Sequence, residues 1–284
     1  MPPHTTEPTE AALDALDAWL TTARDAADAA ARVHAHHLGA SQTGSVTTKG
    51  RSDFVSAVDL EAQAEIEALV RARHPDHALL AEEEGLGHDQ DPGEGPLWVI
   101  DPLDGTTNFL HGHPFFASSV AVAVAGRVVA GAVTAAATGE RWWARQGGGA
   151  WYQGPRAPAP VPLRVSTCGE LAGALIGTGF PFKRLEALPP YLVQFDRVLR
   201  ATSGIRRAGA AALDLCFVAA GRLDAFWELH LAPWDIAAGL ILLEEAGGVA
   251  VRPDGRPLDL RPGAVVAANG RPLLDGLLGL VGGD

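Results

Sequence analysis

The densest run of chemistry-capable side chains is Asp101-Pro102-Leu103-Asp104-Gly105-Thr106-Thr107-Asn108. Two carboxylates at i and i+3 around a bend can share one cation, and the Leu103 carbonyl between them offers a third oxygen. Hard oxygen donors without His or Cys favour Mg²⁺ over Zn²⁺. Gly105 permits the chain to turn, and a Thr pair at a helix start exposes hydroxyls and backbone N–H groups that suit an anion. The pattern predicts a divalent cation facing a phosphate. The plainer alternative is an Asp-Pro turn followed by an Asp-Gly turn on the surface.

These residues need a strand to carry them. Leu97 to Ile100 is a short apolar run of β-formers, and Pro102 keeps Asp101 extended, so the acids should leave the end of a buried strand. Upstream, Leu13, Leu16, Leu20 and Ala27 recur on one face between about Glu10 and Leu38, which predicts a long helix. His34, His36 and His37 near its end lack carboxylate company and read as a solvated terminus. Gly39 to Ser52, polar and containing Lys49, reads as a mobile loop. Phe54 to Asp59 leads into a second helix with Leu60, Ile66, Leu69 and Val70 buried and Pro75 as its stop, so Asp59 falls at the helix start, where it could be an N-cap. His77 to Ala81 reads as a strand ending in Glu82-Glu83-Glu84, which alone would be a solvated acidic patch. Asp89 and Asp91 between Gly87 and Gly95 lack the ligand spacing and central glycine of a calcium loop, leaving a surface loop.

Beyond the acidic run, Phe115 to Ala137 suits consecutive antiparallel strands and Arg141 to Tyr152 a hairpin. Residues 154–162, rich in proline, read as a stiff linker without strand character between an N-terminal α+β domain (1–153) and a C-terminal α/β domain (163–284). In the latter, Ala174 to Thr178 reads as a strand, Leu188 to Ala201 and Ala210 to Ala220 as helices, and Pro233 to Gly248 as a helix with Asp235 in its first turn and a glycine stop. Gly263 to Ala268 is a late strand and Pro272 to Val281 a closing helix. Gly177-Thr178-Gly179 lacks the third glycine of a dinucleotide fingerprint, and no P-loop is present.

Apolar residues make up 47% and charged residues 20% of the 284, the balance of a globular chain with ample length for a core. A net charge of −12 argues against a sequence-independent nucleic-acid binder or a partner of anionic membranes. Bound cations would reconcile that charge with an anionic substrate. Trp142, Trp143 and Trp151 beside arginines are expected to pack under a sheet edge, not to stack on bases. Cys168 and Cys216 show no metal or CxxC spacing and read as reduced residues of a cytoplasmic protein. Met1 to Glu10 lacks the features of a signal peptide, and no apolar stretch is long enough to span a bilayer.

The run D-P-L-D-G-T-T-N-F from Asp101 to Phe109 resembles a signature of the inositol monophosphatase family, Mg²⁺-dependent, lithium-sensitive phosphatases of small phosphorylated polyols and sugars. Pro233-Trp234-Asp235 through Glu245-Ala246-Gly247-Gly248 resembles the family's second signature, and Gly209-Ala210-Ala211-Ala212-Leu213-Asp214 with Glu228 also matches. Gly177 to Lys183 and Arg206 to Gly209 look most like the bacterial branch. The resemblance implies a layered αβαβα sandwich of α/β (α+β) class, commonly a homodimer, with two or three Mg²⁺ per subunit. It implies Glu82, Asp101 and the Leu103 carbonyl as ligands of one metal, and Asp101, Asp104 and Asp235 as ligands of a second. Asp59 and Thr106 would orient the attacking water. Asp104, Gly105, Thr106, Gly209, Ala211, Glu228 and Asp235 would contact the substrate, with Lys49 and Glu83 near a third metal or its water. Ala81 stands where the family has Gly, and Glu84 is an extra acid, so the Glu82/Glu83 register stays open. Family members act on inositol monophosphates, fructose 1,6-bisphosphate, histidinol phosphate, or nucleotide 3′-phosphates and NADP. Inositol-1-phosphate or a broad sugar-phosphate range is the expectation for this chain, with histidinol phosphate next. A non-catalytic role in partner binding is the rival of another class.

Overall fold

The computed structural model describes residues 9–39, 46–50, 53–83 and 95–282, and of 46–50 and 53–56 the backbone only. In chain order the elements are α1 (Glu10–His37), β1 (Val46–Gly50), β2 (Asp53–Ser56), α2 (Ala57–Arg73), β3 (Ala78–Ala81), β4 (Pro96–Asp104), α3 (Thr106–Leu110), β5 (Ala117–Val124), β6 (Arg127–Ala135), β7 (Glu140–Arg145), β8 (Ala150–Gly154) and β9 (Ala157–Pro162). They continue with β10 (Leu175–Thr178), α4 (Leu188–Ala201), β11 (Gly204–Arg206), α5 (Ala211–Ala219), β12 (Ala225–Leu231), α6 (Pro233–Glu245), β13 (Val249–Val251), β14 (Gly263–Ala268) and α7 (Arg271–Val281). The strands form a seven-stranded sheet in the order β3-β4-β5-β6-β7-β8-β9, a five-stranded sheet in the order β11-β10-β12-β14-β13, and the β1-β2 hairpin.

Four apolar clusters define the layers. Helices α1 and α2 cover one face of the large sheet through Ala23, Ala27, Ala30, Ile66, Val70, Trp98 and Val120. Helices α5 and α6 lie between the sheets, with Leu213, Cys216, Ala237, Ala238 and Ile241 toward the large one and Leu215, Val218, Ile236 and Leu243 toward the small one. Helices α4 and α7 close the far side against Trp227 and Val266. The result is the expected αβαβα sandwich. The inter-sheet layer is thin because small residues let backbones approach. A Cβ on Gly131 would stand 2.9 Å from the Ala238 Cα, and one on Gly239 would stand 2.6 Å from Leu215.

Several sequence expectations change. Val46–Gly50, within the stretch expected to be a loop, pairs antiparallel with Asp53–Ser56. Strand β4 continues through Asp104, with a register irregularity between Asp101 and Asp104. Leu60 is 55% exposed, so the buried face of α2 runs instead through Val58, Ala62, Ile66 and Val70. Residues 157–162, expected to lack strand character, are the edge strand β9, paired antiparallel with β8. Alternating prolines suit an edge, because only one side of the strand needs N–H donors. Asp89 and Asp91 lie outside the described residues. Both cysteines are free, and among the described residues no helix is long and apolar enough to cross a membrane.

Candidate metal and phosphate site

Parallel pairing of β3 with β4 sets Ala81 opposite Ile100, and the Glu82 N–H donates to the Ile100 carbonyl at 3.1 Å. Glu82 therefore leaves its strand beside Asp101. On the other side of β4, Asp101 pairs with Ser119 of β5, whose hydroxyl donates to the Trp234 carbonyl at 3.4 Å. That contact brings the start of α6, and with it Asp235, to the same strand end. Asp104 is tied across the molecule, its Oδ2 accepting from the Ala212 N–H in the first turn of α5 at 2.7 Å. Four acids from three distant stretches of the sequence thus come together where the elements end.

Each carboxyl has local support. Asp101 Oδ1 accepts from the Leu103 N–H at 3.0 Å, and Asp235 Oδ2 accepts from the Ala232 N–H at 2.6 Å, closing the open start of α6. The support is too small for the charge. Burial first, then Glu82, Asp104 and Asp235, push the Asp101 carboxyl well above its ordinary range. Burial and Asp235 likewise raise Asp104, and burial and Asp235 with Glu83 raise Glu82 against the opposing pull of Lys183. Burial alone outweighs the Ala232 bond and Lys183 in raising Asp235. Such a set asks for a cation. The donors are all carboxylate or carbonyl oxygens, which fits a hard divalent ion.

Beside the acids, the Thr106 hydroxyl lies 3.0 Å from Asp59 Oδ1 and 3.1 Å from the Leu103 carbonyl. Its single hydrogen serves one of them at a time. Asp59 is fully buried in the first turn of α2 and is not its cap. Gly105 holds a φ of +87°, and a Cβ there would lie 2.9 Å from the Phe115 carbonyl, so the turn into α3 requires glycine. Gly209, at φ +91°, precedes α5, and Ala211 opens that helix. Glu228 sits on β12 with its carboxyl occupying the space that a Cβ on Gly179 would need. Burial and then Asp235 push Glu228 up to about 8, opposed by Arg207 and Lys183.

Hydrogen bonds and electrostatic contacts thus connect Asp59, Thr106, Leu103, Glu82, Asp101, Asp104, Glu228 and Asp235, Gly105 packs against Gly209 and Ala210, and Ala211 adjoins the Ala212 N–H that bonds Asp104. Glu82, not Glu83, is the residue that bonds Asp101, while the Glu83 N–H donates to Gln63 at 3.1 Å. The Lys49 side chain lies outside the described residues.

Three residues went unassigned or misread in the sequence. Asn108 donates to the carbonyls of Phe115 at 2.6 Å and Ala208 at 2.9 Å, tying the acidic turn to the loop before α5. Asp214 is buried, its Oδ1 has no partner, and burial with Glu228 and Asp104 raises its pKa well above the carboxylate range. A lone acid inside the apolar helix Ala211–Ala219 was the available signal. His34, expected at a solvated terminus, is fully buried, with Nε2 2.9 Å from the Pro102 carbonyl, and burial lowers its pKa to about 4.

A cavity of about 550 Å³ between the Gly126–Val128 turn, the C-terminal half of α6 and Leu258–Leu260 contains none of these acids.

The fold is an αβαβα sandwich with a set of buried acids, all oxygen donors, at the converging ends of its elements. A sequence model of the inositol monophosphatase family matches residues 15–282. An inositol-1-monophosphatase of Mesorhizobium japonicum is 41% identical over 255 residues, covering 90% of this chain and 93% of the relative. A Nus factor SuhB of Pseudomonas aeruginosa is 46% identical over 227 residues, covering 79% and 82%. The solved inositol monophosphatase of Anabaena superposes with a TM-score of 0.81 at 36% identity, covering 94% of this chain and 96% of that one. This chain belongs to the inositol monophosphatase family.

Proposed function

We propose that the chain is a Mg²⁺-dependent phosphate monoester hydrolase acting on inositol-1-phosphate or a broad set of sugar phosphates. The observation that carries this reading is the meeting of Glu82, Asp101, Asp104 and Asp235 beside the Thr106–Asp59 pair. Glu82, Asp101 and the Leu103 carbonyl would hold one Mg²⁺, and Asp101, Asp104 and Asp235 another. When bound, the ions supply water activation and charge neutralisation at the leaving oxygen. The side chains do the orienting. Thr106 donates its hydrogen to Asp59, which leaves its oxygen lone pairs to receive a hydrogen from the attacking water and fix its direction. Backbone N–H groups at Gly105 and Thr106 face the phosphoryl oxygens. Gly209 and Ala211 offer backbone to the polyol, and the Glu228 carboxylate accepts from its hydroxyls. Glu83, and Lys49 on β1, would serve a third ion's water. Together these effects have to supply most of a barrier reduction of about 20 kcal/mol. Cytoplasmic location, a homodimer and lithium inhibition belong to the same proposal.

The test is phosphate release from inositol-1-phosphate, histidinol phosphate, fructose 1,6-bisphosphate and adenosine 3′,5′-bisphosphate, with Mg²⁺, with chelator, and in Asp101→Asn. Metal-dependent turnover lost in the variant is the expected result. No release from any substrate by folded, Mg²⁺-supplied protein would sink the reading. The Nus factor name of the P. aeruginosa relative favours a second reading, a role in partner binding. A partner bound equally well by wild type and Asp101→Asn would show that such a role does not need the acids.

A further inference from the structure

We propose that the hollow of about 550 Å³ beside the C-terminal half of α6 is a second binding site, one that takes a small anion with an apolar body. It is lined by none of the clustered acids and does not depend on the phosphatase reading. Its floor is apolar. Leu240, Ile241 and Leu243 of α6 line it together with Leu258 and Leu260 of the loop between β13 and β14. Side chains alternate along β13, and Val249 and Val251 pack toward α4 and α7, so the Ala250 methyl lies on the α6 side, where the hollow is. A concave, mostly apolar lining of roughly 300–1,000 Å³ with a few polar groups is the form that small-molecule sites take.

The rim sets the sign of the ligand. Arg127 and Arg271 stand there with Glu244 and Asp259, and both acids are answered within the chain. Asp259 Oδ1 accepts from Arg252 at 2.5 Å, and Arg261 lies 3.7 Å from its other oxygen. Glu244 lies 3.8 Å from Arg127. Arg271 is left over. It is exposed, and among the described residues it makes no hydrogen bond or ion pair. It is also the first residue of α7, whose cap is Gly270, with no side chain to receive the open N–H groups. A guanidinium fork and an uncapped helix start on the rim of one hollow favour an anion. A neutral apolar ligand would leave Arg271 without an acceptor, and a cation would be repelled by it. Carboxylate, sulfonate and phosphate heads all satisfy the fork.

The probe is 8-anilinonaphthalene-1-sulfonate, compared with N-phenyl-1-naphthylamine, the same body without the sulfonate. Affinity and stoichiometry are read by fluorescence and calorimetry on the full folded chain, for wild type, Arg271→Gln, Ala250→Phe and Asp101→Asn. The expected result is saturation at about one sulfonate probe per chain. Arg271→Gln should weaken that binding about tenfold, the loss of one charge-assisted contact, and leave the neutral probe unchanged. Ala250→Phe fills the hollow and should abolish binding of both probes, while Asp101→Asn should change neither. Leu258→Trp takes the place of Ala250→Phe should that variant not fold. No saturable binding, a loss in Arg271→Gln equal for both probes, or binding that survives the filling variants overturns the proposal. Binding altered by Asp101→Asn but not by Arg271→Gln places the probe among the acids and overturns it too. A hollow filled by a second copy of the chain would show as no probe bound to wild type and a smaller particle in Ala250→Phe by light scattering, with the same consequence.

Discussion

Helix α6 has two ends in different physical worlds. Its body, from Ile236 to Leu243, is packed between the two sheets, against mostly small residues toward the large sheet and larger apolar ones toward the small sheet. Its first turn carries Asp235 among carboxyls that burial drives toward protonation, reinforced at Asp101 and Asp104 by the neighbouring acids. The cleft by itself opposes folding, and the close-packed layer supplies the free energy that tolerates it. Stability and chemistry therefore sit on the same helix, a few turns apart, and substitutions should separate them.

The largest effect should come from the charged end. Asp101→Asn removes an acid shared between both proposed cations, and phosphate release should fall at least about 10²-fold. The amide can still donate to Glu82, so the melting temperature without metal should be no lower than in wild type. A variant that loses activity by unfolding would erase the contrast. At the packed end, Gly131→Ala forces a methyl group against the Ala238 backbone, and overpacking there should cost about 1–3 kcal/mol in chemical denaturation. The folded fraction should keep its KM. Between the two, Asn108→Ala cuts the tie from the acidic turn to the Ala208 carbonyl. A bond of that kind is worth about 1 kcal/mol, so KM should rise several-fold with a smaller change in kcat.

What the sequence made legible follows the range of the interactions. Asp101 and Asp104 could be picked out because i and i+3 carboxylates around a turn are local chemistry, α1 because its apolar periodicity is local too, and α6 because an acid in the first turn and a glycine stop mark its ends. That Asp104 accepts a bond from Ala212, or that Ser119 links Asp101 to the start of α6, depends on pairing across 108 and 115 residues that no spacing rule reports. His34 was misread for the same reason. A histidine near two others at a helix end looks solvated until the Pro102 carbonyl arrives from 68 residues away. The prolines of 157–162 hid a strand because proline signals a linker in isolation, and only the sheet's edge makes it acceptable. Asp214 was readable in principle, as a lone acid in an apolar helix, but its neighbours Glu228 and Asp104 come from other elements.

The finest test of the contrast is the pH dependence of stability without metal. Glu228 and Glu82, ordinarily near 4.5, are each pushed up to about 8 by burial first and by Asp235 next. At intermediate pH the native state then holds protons that the unfolded chain has released, so stability from these groups is present below about pH 4.5 and is lost as pH rises toward about 8. His34 acts in the opposite direction. Its pKa falls from 6.5 to about 4, so its contribution is present above 6.5 and is lost as pH drops toward 4. Because two glutamates lose stability where one histidine gains it, chelator-treated protein should melt highest near about pH 4.5 and progressively lower toward pH 8.5, and Mg²⁺ should flatten the alkaline side by compensating the carboxylates. Glu228→Gln should flatten part of that slope with no metal present, whereas Gly131→Ala should lower the whole curve without changing its shape. An alkaline slope identical in wild type and Glu228→Gln, with or without Mg²⁺, would mean that the acid end of α6 carries no electrostatic burden.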